Sequence, residues 1–253
     1  MPAFLDSGLK IFLVSALNTL ANAHVVEFGN WKLNAVALNA TTKYKNLKKD
    51  ILRREFQIII SSIEAFTDTT RLLPIVKSPE LAALGPQRIL IDGAHCIPKW
   101  GQHFRPQYAL VGTLKLLLTG EVSMVAATAT ANNLMRQAIK QSLRFSSDVF
   151  EVNLGNRLPN ISYSVHWIKN VSAVATELLE YFPSKSELPE FTIIFVDSRK
   201  LGASLLEALR QHLDPDLPGA VQLYHASRSE FDKILAAGFE REDGFKAMFS
   251  TEA

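Results

Sequence analysis

The sequence predicts an α/β protein built on parallel β-sheets that are covered by helices on both faces. Short apolar runs rich in Val, Ile and Leu alternate along the chain with longer segments of helical period. The runs are almost continuously apolar, which is typical of parallel strands buried on both faces. Apolar residues make up 47% of the 253 residues and charged residues 21%, which suits a globular chain and excludes a disordered one.

Eight strands are predicted where aliphatic and aromatic residues cluster over four to six positions. In chain order they are residues 10–15, 34–38, 56–61, 88–91, 122–126, 192–196, 221–224 and 246–249. Helices are predicted where apolar residues recur three or four positions apart, at residues 17–28, 44–54, 105–118, 131–143, 172–182, 198–213 and 229–239. Right-handed crossovers bring the carboxyl ends of parallel strands to one edge, so functional residues are expected directly after the strands.

The turn-forming segment 155–160, Gly-Asn-Arg-Leu-Pro-Asn, is the best internal boundary. It predicts one domain over residues 1–155 and a second over residues 156–253. Residues 183–189 are another Pro-containing segment, but they are better explained as a connection from a helix to the next strand.

Charge and cysteine content narrow the classes of protein. The formal net charge of +2 is too small to indicate a polyanionic partner by itself. The single cysteine, Cys96, excludes an intramolecular disulfide framework and suits a reducing compartment.

The apolar runs are too short to span a bilayer, since Lys115 interrupts even residues 109–118. The run at 11–17 before Ala-Asn-Ala (21–23) could be read as a signal peptide, but Asp6 and a strand running into a helix favour an intracellular protein.

Asp92 is the first candidate for chemistry because it directly follows a predicted buried strand. A carboxylate in that position is well placed to hold Mg²⁺ beside a nucleotide. A single strand-end Asp is more often a helix cap, so its neighbours have to decide between the two interpretations.

Those neighbours carry a specific pattern. Residues 92–108 read Asp-Gly-Ala-His-Cys-Ile-Pro-Lys-Trp-Gly-Gln-His-Phe-Arg-Pro-Gln-Tyr. The pattern resembles the Walker B box and the aromatic-rich loop that follows it in RecQ-type DNA helicases, whose box reads Asp-Glu-Ala-His. Further segments resemble this family in its own order: 14–20, 58–64, 127–131 (motif III), 157–161 (the start of the second lobe), 193–199 (motif IV), 224–226 and 249–253 (motif V).

The resemblance implies two RecA-like lobes of the P-loop NTPase helicase type, both expected to be incomplete. The family hydrolyses ATP between the lobes and unwinds DNA with 3′→5′ polarity. By this resemblance Asp92 would hold Mg²⁺, His95 would couple to motif III, and a loop containing Trp100, Phe104 and Arg105 would sense DNA. Further contacts to nucleic acid would come from Ser15, Thr128, Thr130, Ser198, Arg199, His225 and Thr251.

Departures from the family pattern predict weak catalysis. Gly93 stands where the family has the Glu that polarises the attacking water, and it cannot accept a proton. The sequence contains no Gly-Lys-Ser or Gly-Lys-Thr phosphate loop, so ATP is expected to bind weakly. The family's arginine finger and its zinc module are also expected to be missing. The spacing of Asp92, His95, Cys96 and His103 matches no common zinc motif, so no zinc is expected.

Simpler interpretations remain open for most of these residues. Trp100, Phe104 and Arg105 suit single-stranded DNA, because aromatic rings stack on bases, but they could equally pack under a long loop. The phosphate-contact candidates could be strand-end caps or turn formers. The basic cluster Lys43, Lys45, Lys48, Lys49, Arg53 and Arg54 is best explained as a solvated helix face.

The expectation is therefore a RecQ-like DNA helicase core that is catalytically impaired. Its partners would be single-stranded or forked DNA, with a full-length helicase relative as a further candidate. No membrane is expected to be involved, and in a eukaryote the protein would be nuclear. The alternatives are a non-catalytic module that binds single-stranded DNA or a protein, and a non-functional gene fragment.

Overall fold

The computed structural model describes residues 6, 8–39, 42, 44–101, 105–155, 159–168, 170, 173–186, 192–214, 216, 221–225 and 247–251, with backbone only at positions 18 and 19. The chain divides into two compact units, Met1–Pro159 and Asn160–Ala253. The predicted helix at 229–239, the residue Phe104 and the residue Lys43 lie outside the described residues.

Unit 1 is built on a five-stranded parallel sheet. Its strands are β1 (Lys10–Val14), β2 (Ala35–Leu38), β3 (Ile58–Ser61), β4 (Gln87–Ile91) and β5 (Val122–Ala126), in the order β2-β3-β1-β4-β5. In the register, Val14 of β1 lies beside Ser61 of β3 on one side and Ile91 of β4 on the other. The carboxyl ends of these strands therefore meet at one edge.

Helices follow the strands of unit 1, and several of them are short. They are α1 (Asn18–Asn30), α2 (Leu47–Leu52), α3 (Ile63–Thr67), α4 (Leu73–Val76), α5 (Pro79–Ala82), α6 (Cys96–Trp100), α7 (Leu114–Leu117) and α8 (Asn133–Ser142), with a 3₁₀ helix at Pro106–Thr113. Two apolar cores result, one of which contains Phe12, Ile59 and Tyr108 and the other Ile11, Ile60 and Phe28.

Unit 2 has a smaller parallel sheet among its described residues. Its strands are β6 (Thr192–Val196), β7 (Val221–Tyr224) and β8 (Ala247–Thr251), in the order β6-β8-β7. Helices α9 (Val174–Leu179) and α10 (Arg199–His212) pack on this sheet around Leu209 and Phe249. The predicted parallel-sheet α/β class is confirmed in both units.

No helix in the part of the chain that the structure describes is long and apolar enough to span a bilayer.

Candidate functional site

The carboxyl edge of the first sheet gathers the central candidates. Asp92 follows β4, and its backbone amide donates to the carbonyl oxygen of Val14 at the end of β1, at 3.1 Å. The loops after β4 and β5 are also joined by main-chain hydrogen bonds. The amide of Ala94 donates to the carbonyl oxygen of Ala127 at 2.9 Å, and the amide of Ala127 donates to the carbonyl oxygen of Ile91 at 2.9 Å. Main-chain hydrogen bonds therefore fix the loops that carry the Walker B-like and motif III-like segments.

His95 joins these two loops through its side chain. Its Nδ1 lies 2.9 Å from Oγ1 of Thr128, and the amide of Thr130 donates to the same Oγ1 at 3.3 Å. The structure thus brings together His95, Thr128 and Thr130, which the sequence interpretation placed in two different motifs. Because of this hydrogen bond, a movement of the loop after β4 would also displace the loop after β5.

Asp92 has a side-chain partner that the sequence did not indicate. Nε2 of His24, on α1, lies 3.2 Å from Oδ2 of Asp92. Nδ1 of the same ring lies 3.5 Å from Oε2 of Glu27. The pairing of His24 with Asp92 joins residues 68 positions apart, so no local pattern could have predicted it.

The single carboxylate of Asp92 fits Mg²⁺, but the described residues around it provide no further set of metal ligands. Mg²⁺ is commonly bound by one or two carboxylates together with phosphate oxygens and waters, and Asp92 supplies one half-exposed carboxylate. Among the described residues there is no group of three or more His, Cys, Asp or Glu side chains that could hold a metal ion. Burial raises the pKa of the Cys96 thiol, which disfavours the thiolate that a metal would need.

Gly93 occupies a conformation that favours glycine. Its φ is +65°, in the left-handed region, where an L side chain is strained. A Cβ at this position would make only ordinary contacts, 3.8 Å from Cε1 of His95 and 3.9 Å from Sγ of Cys96. The backbone, rather than lack of space, is what would resist a side chain here.

Arg105 lies in a network within unit 1. Its Nε donates to Oε1 of Glu64 at 2.9 Å, one terminal nitrogen donates to Oε2 at 2.6 Å, and the other donates to the carbonyl of Ala16 at 2.6 Å. The guanidinium carbon is 5.7 Å from the ring centre of Trp100 and 5.0 Å from that of Tyr108. Glu64 lies within the family-like segment 58–64, but neither Glu64 nor Tyr108 is among the site residues that the sequence predicts.

Trp100 and Arg105 therefore both have contacts inside the protein. Trp100 is partly buried against the larger core, and its ring meets that of Tyr108 edge-on at 5.4 Å. These contacts favour the packing alternative for the two residues. Their role in DNA sensing stays a prediction, as does that of Phe104.

The remaining candidates lie mostly in turn or capping positions. Ser15 is buried and its hydroxyl donates to the carbonyl of Leu17 at 3.2 Å, as in the turn-forming alternative. In unit 2, Ser198 caps α10 by accepting from the amide of Leu201 at 3.2 Å, and Arg199 begins that helix.

Two further candidates of unit 2 follow or end strands. His225 directly follows β7, and Thr251 is a buried residue at the end of β8. Ser198, His225 and Thr251 thus share the carboxyl edge of the second sheet.

The two parallel sheets, with helices around them and candidate residues in the loops after the strands, form RecA-like α/β units. No protein-family model matches the chain. Among solved structures it is similar to the DUF1998 helicase MrfA bound to DNA and AMPPNP, with a TM-score of 0.69 over 99% of this chain and 36% of that chain. It is also similar to S. cerevisiae Dbp5 bound to RNA and ADP BeF3, with a TM-score of 0.63 over 96% of this chain and 57% of that one. The identities are 15% and 18%, so these likenesses concern the fold.

The sequence is similar to those of several DNA helicases. The chain is 32% identical over 256 residues to the ATP-dependent DNA helicase RecQ of Pasteurella multocida, covering 96% of this chain and 36% of the relative. It is 31% identical over 207 residues to hus2/rqh1 of Schizosaccharomyces pombe, covering 82% and 14% respectively. The probable helicase RecS of Bacillus subtilis is 25% identical over 240 residues, covering 93% and 45%. The chain thus spans less than half the length of these relatives.

The chain is related to the RecQ-type DNA helicases, as the motifs predicted. The RecA-like fold class implied by that resemblance is likewise confirmed.

Proposed function

We propose that this chain is part of a RecQ-like DNA helicase core. Residues 1–155 would form the first, ATP-binding lobe and residues 156–253 part of the second. The observation that carries the proposal is the 2.9 Å contact between His95 and Thr128 beside Asp92, at the carboxyl edge of a parallel sheet. Ligands of open α/β sheets bind at that edge.

By family resemblance the activity is ATP-dependent 3′→5′ unwinding in DNA repair and recombination. Asp92 would hold Mg²⁺, which supplies charge neutralisation beside the phosphates when it is bound. His95 would transmit changes at that carboxylate to the Thr128 loop. The partners would be single-stranded or forked DNA and a full-length relative, inside the cell and, in a eukaryote, in the nucleus.

We further propose that the chain by itself hydrolyses ATP far below a helicase rate. Gly93 has no carboxylate to polarise water, and the sequence has no phosphate-loop lysine to hold a triphosphate. The residues present therefore do not fit ATP bound as in the complete family site. Loss of a general base alone typically lowers a rate by about 10²–10⁴.

The test measures DNA-stimulated ATP hydrolysis by the purified chain and by an Asp92→Asn control. The expected result is turnover far below ~1 s⁻¹ that the control does not change, since any residual rate would come from contaminants. If the wild-type chain turns over ATP at about 1 s⁻¹ and Asp92→Asn abolishes this activity, the proposed impairment is contradicted and the helicase assignment is supported.

A non-catalytic module that binds single-stranded DNA is the second candidate, favoured by the lack of a side chain at Gly93. Fluorescence anisotropy with labelled single-stranded DNA at two salt concentrations tests it. Trp100→Ala should weaken binding, whereas Trp31→Ala, at an exposed site on unit 1, should not. If both variants bind DNA equally well, the loop that contains Trp100 does not contact DNA. If the wild-type chain does not bind DNA at all, the alternative of a non-functional gene fragment is favoured.

A further inference from the structure

His24 is held from three sides at the carboxyl edge of the first sheet. Its Nε2 faces Oδ2 of Asp92 at 3.2 Å, and its Nδ1 faces Oε2 of Glu27 at 3.5 Å. The ring also stacks on Phe28, with centroids 5.8 Å apart and planes inclined by 15°. Both nitrogens and one ring face are therefore engaged, which sets the orientation of the imidazole.

The fold places this ring beside Asp92 for simple reasons. Helix α1 begins four residues after the end of β1, and β1 pairs with β4, which ends just before Asp92. Glu27 lies three residues after His24 on α1, so the two side chains share one helix face. Phe28 is buried in the smaller core of unit 1, and its ring stacks on one face of the His24 imidazole.

We propose that His24 is a positioning residue for a divalent-cation site at Asp92. By holding Oδ2, it fixes the carboxylate and leaves Oδ1 as the oxygen that donates to the cation. This inference rests on the cation role proposed above for Asp92. In metal sites generally, ligating groups are oriented by outer hydrogen-bond partners, whose loss lowers metal affinity by about 10–100-fold.

The experiment uses Mn²⁺ alone as the probe, with binding to the full chain measured by electron paramagnetic resonance of the free ion. Asp92→Asn defines the part of the binding that depends on this carboxylate. His24→Ala should weaken that part by about 10–100-fold. His24→Gln should stay close to wild type, because the glutamine amide nitrogen reaches the position of Nε2 and donates there. His166→Ala, in unit 2, is the matched control and should change nothing.

The outcomes separate the two proposals. If Asp92→Asn removes Mn²⁺ binding but His24→Ala leaves it unchanged or tightens it, His24 does not position the carboxylate, while the cation site itself stands. If the wild type shows no binding that depends on Asp92, both proposals fall. Thermal unfolding of each variant shows whether the chain is folded, and recovery in His24→Gln excludes a merely structural effect.

Discussion

Arg105 illustrates, at the scale of single residues, how a motif residue can be committed to the fold. Burial alone would raise the pKa of Glu64, but hydrogen bonds from Arg105, from the backbone and from Ser62 outweigh it, together with the positive charge of Arg105. The net result is a pKa below the usual value. The ion pair therefore stabilises the folded chain by linking the loop after α6 to α3.

Replacement of Glu64 by Gln should lower the free energy of unfolding by about 1–3 kcal/mol, because it leaves a partly buried guanidinium without its carboxylate. Urea denaturation measures the change. The loss of unfolding free energy in the variant should be largest above pH 4.5, where Glu64 is ionised in both states. It should shrink as the pH falls below 4.5, because the lowered pKa in the folded state makes protonation of Glu64 destabilise the wild type.

The matched control is Glu80→Gln, which removes an ion pair with Lys48 at 3.5 Å between two well-exposed side chains. Its effect should stay below about 0.5 kcal/mol. Equal losses in the two variants would show that the Arg105 network adds nothing beyond a surface pair.

Lys10 is a buried lysine at the start of β1, with only 2% of its surface exposed. Burial, with a smaller contribution from the charge of Arg54, lowers the pKa of its ammonium group from 10.5 to about 8, and its Nζ donates to the carbonyl of Phe56. Between these pH values the unfolded chain binds more protons than the folded chain. Stability therefore rises with pH in this window.

A Lys10→Met variant should lack this rise. Relative to the variant, wild type should gain stability between pH 8 and 10.5, by at most roughly 3 kcal/mol. Denaturation at a series of pH values gives the measurement, with Lys32→Met as an exposed-lysine control. A wild-type curve parallel to that of Lys10→Met would contradict the lowered pKa.

The site was only partly predictable from single residues. Strand-end position and motif spacing pointed to Asp92, His95 and Thr128, and the structure places them at one sheet edge. The partners His24 and Glu64 come from other segments, and their identification needed the strand order β3-β1-β4. A pairing that depends on which strands are neighbours leaves no periodic signal in the sequence.

At the scale of elements, strands were predicted better than helices. Strands β5, β6 and β7 have the bounds that the apolar runs predicted. In β5 and β6, however, every second residue is exposed, so these two strands are not buried on both faces as the apolar runs predicted. The single helix predicted at 105–118 was wrong, since a 3₁₀ helix occupies Pro106–Thr113 before the short α7. The short helices between β3 and β4 also escaped prediction, because one turn is too short to show a helical period.

Gly112 lies within this 3₁₀ helix and packs closely against a neighbouring helix. A Cβ on Gly112 would overlap the carbonyl oxygen of Ser142 at the end of α8, so the 3₁₀ helix lies directly against that end. Gly112→Ala should therefore lower the free energy of unfolding by about 1–3 kcal/mol, as measured by urea denaturation.

Gly29→Ala provides the opposite case, because nothing lies within 4 Å of its added Cβ near the end of α1. That variant should be more stable by roughly 0.5–1 kcal/mol, since alanine is the better helix former. A shift of the same sign in the two glycine variants would contradict the packing argument.

At the scale of the whole molecule, two alternating apolar segments are open to solvent. In unit 1 Phe150, Val152 and Leu154 are exposed, while Glu151 between them pairs with Arg136 at 3.0 Å. In unit 2 Tyr163, Val165 and Trp167 are exposed, and Trp167 is 93% so. This alternation is the signature of a half-buried strand, and exposed segments of that kind promote association.

We therefore expect the purified chain to self-associate as its concentration rises, and Val165→Lys to oppose this. A charge in the centre of the alternating segment disfavours strand pairing between molecules while costing the fold little, because Val165 makes few internal contacts at 87% exposure. Static light scattering over a concentration series measures the effect. Leu134→Lys is the control, since Leu134 is also an exposed aliphatic residue and lies on α8, outside either alternating segment. If both variants suppress association equally, net charge rather than the segment is responsible, and if wild type stays monomeric, the exposed alternation does not drive association.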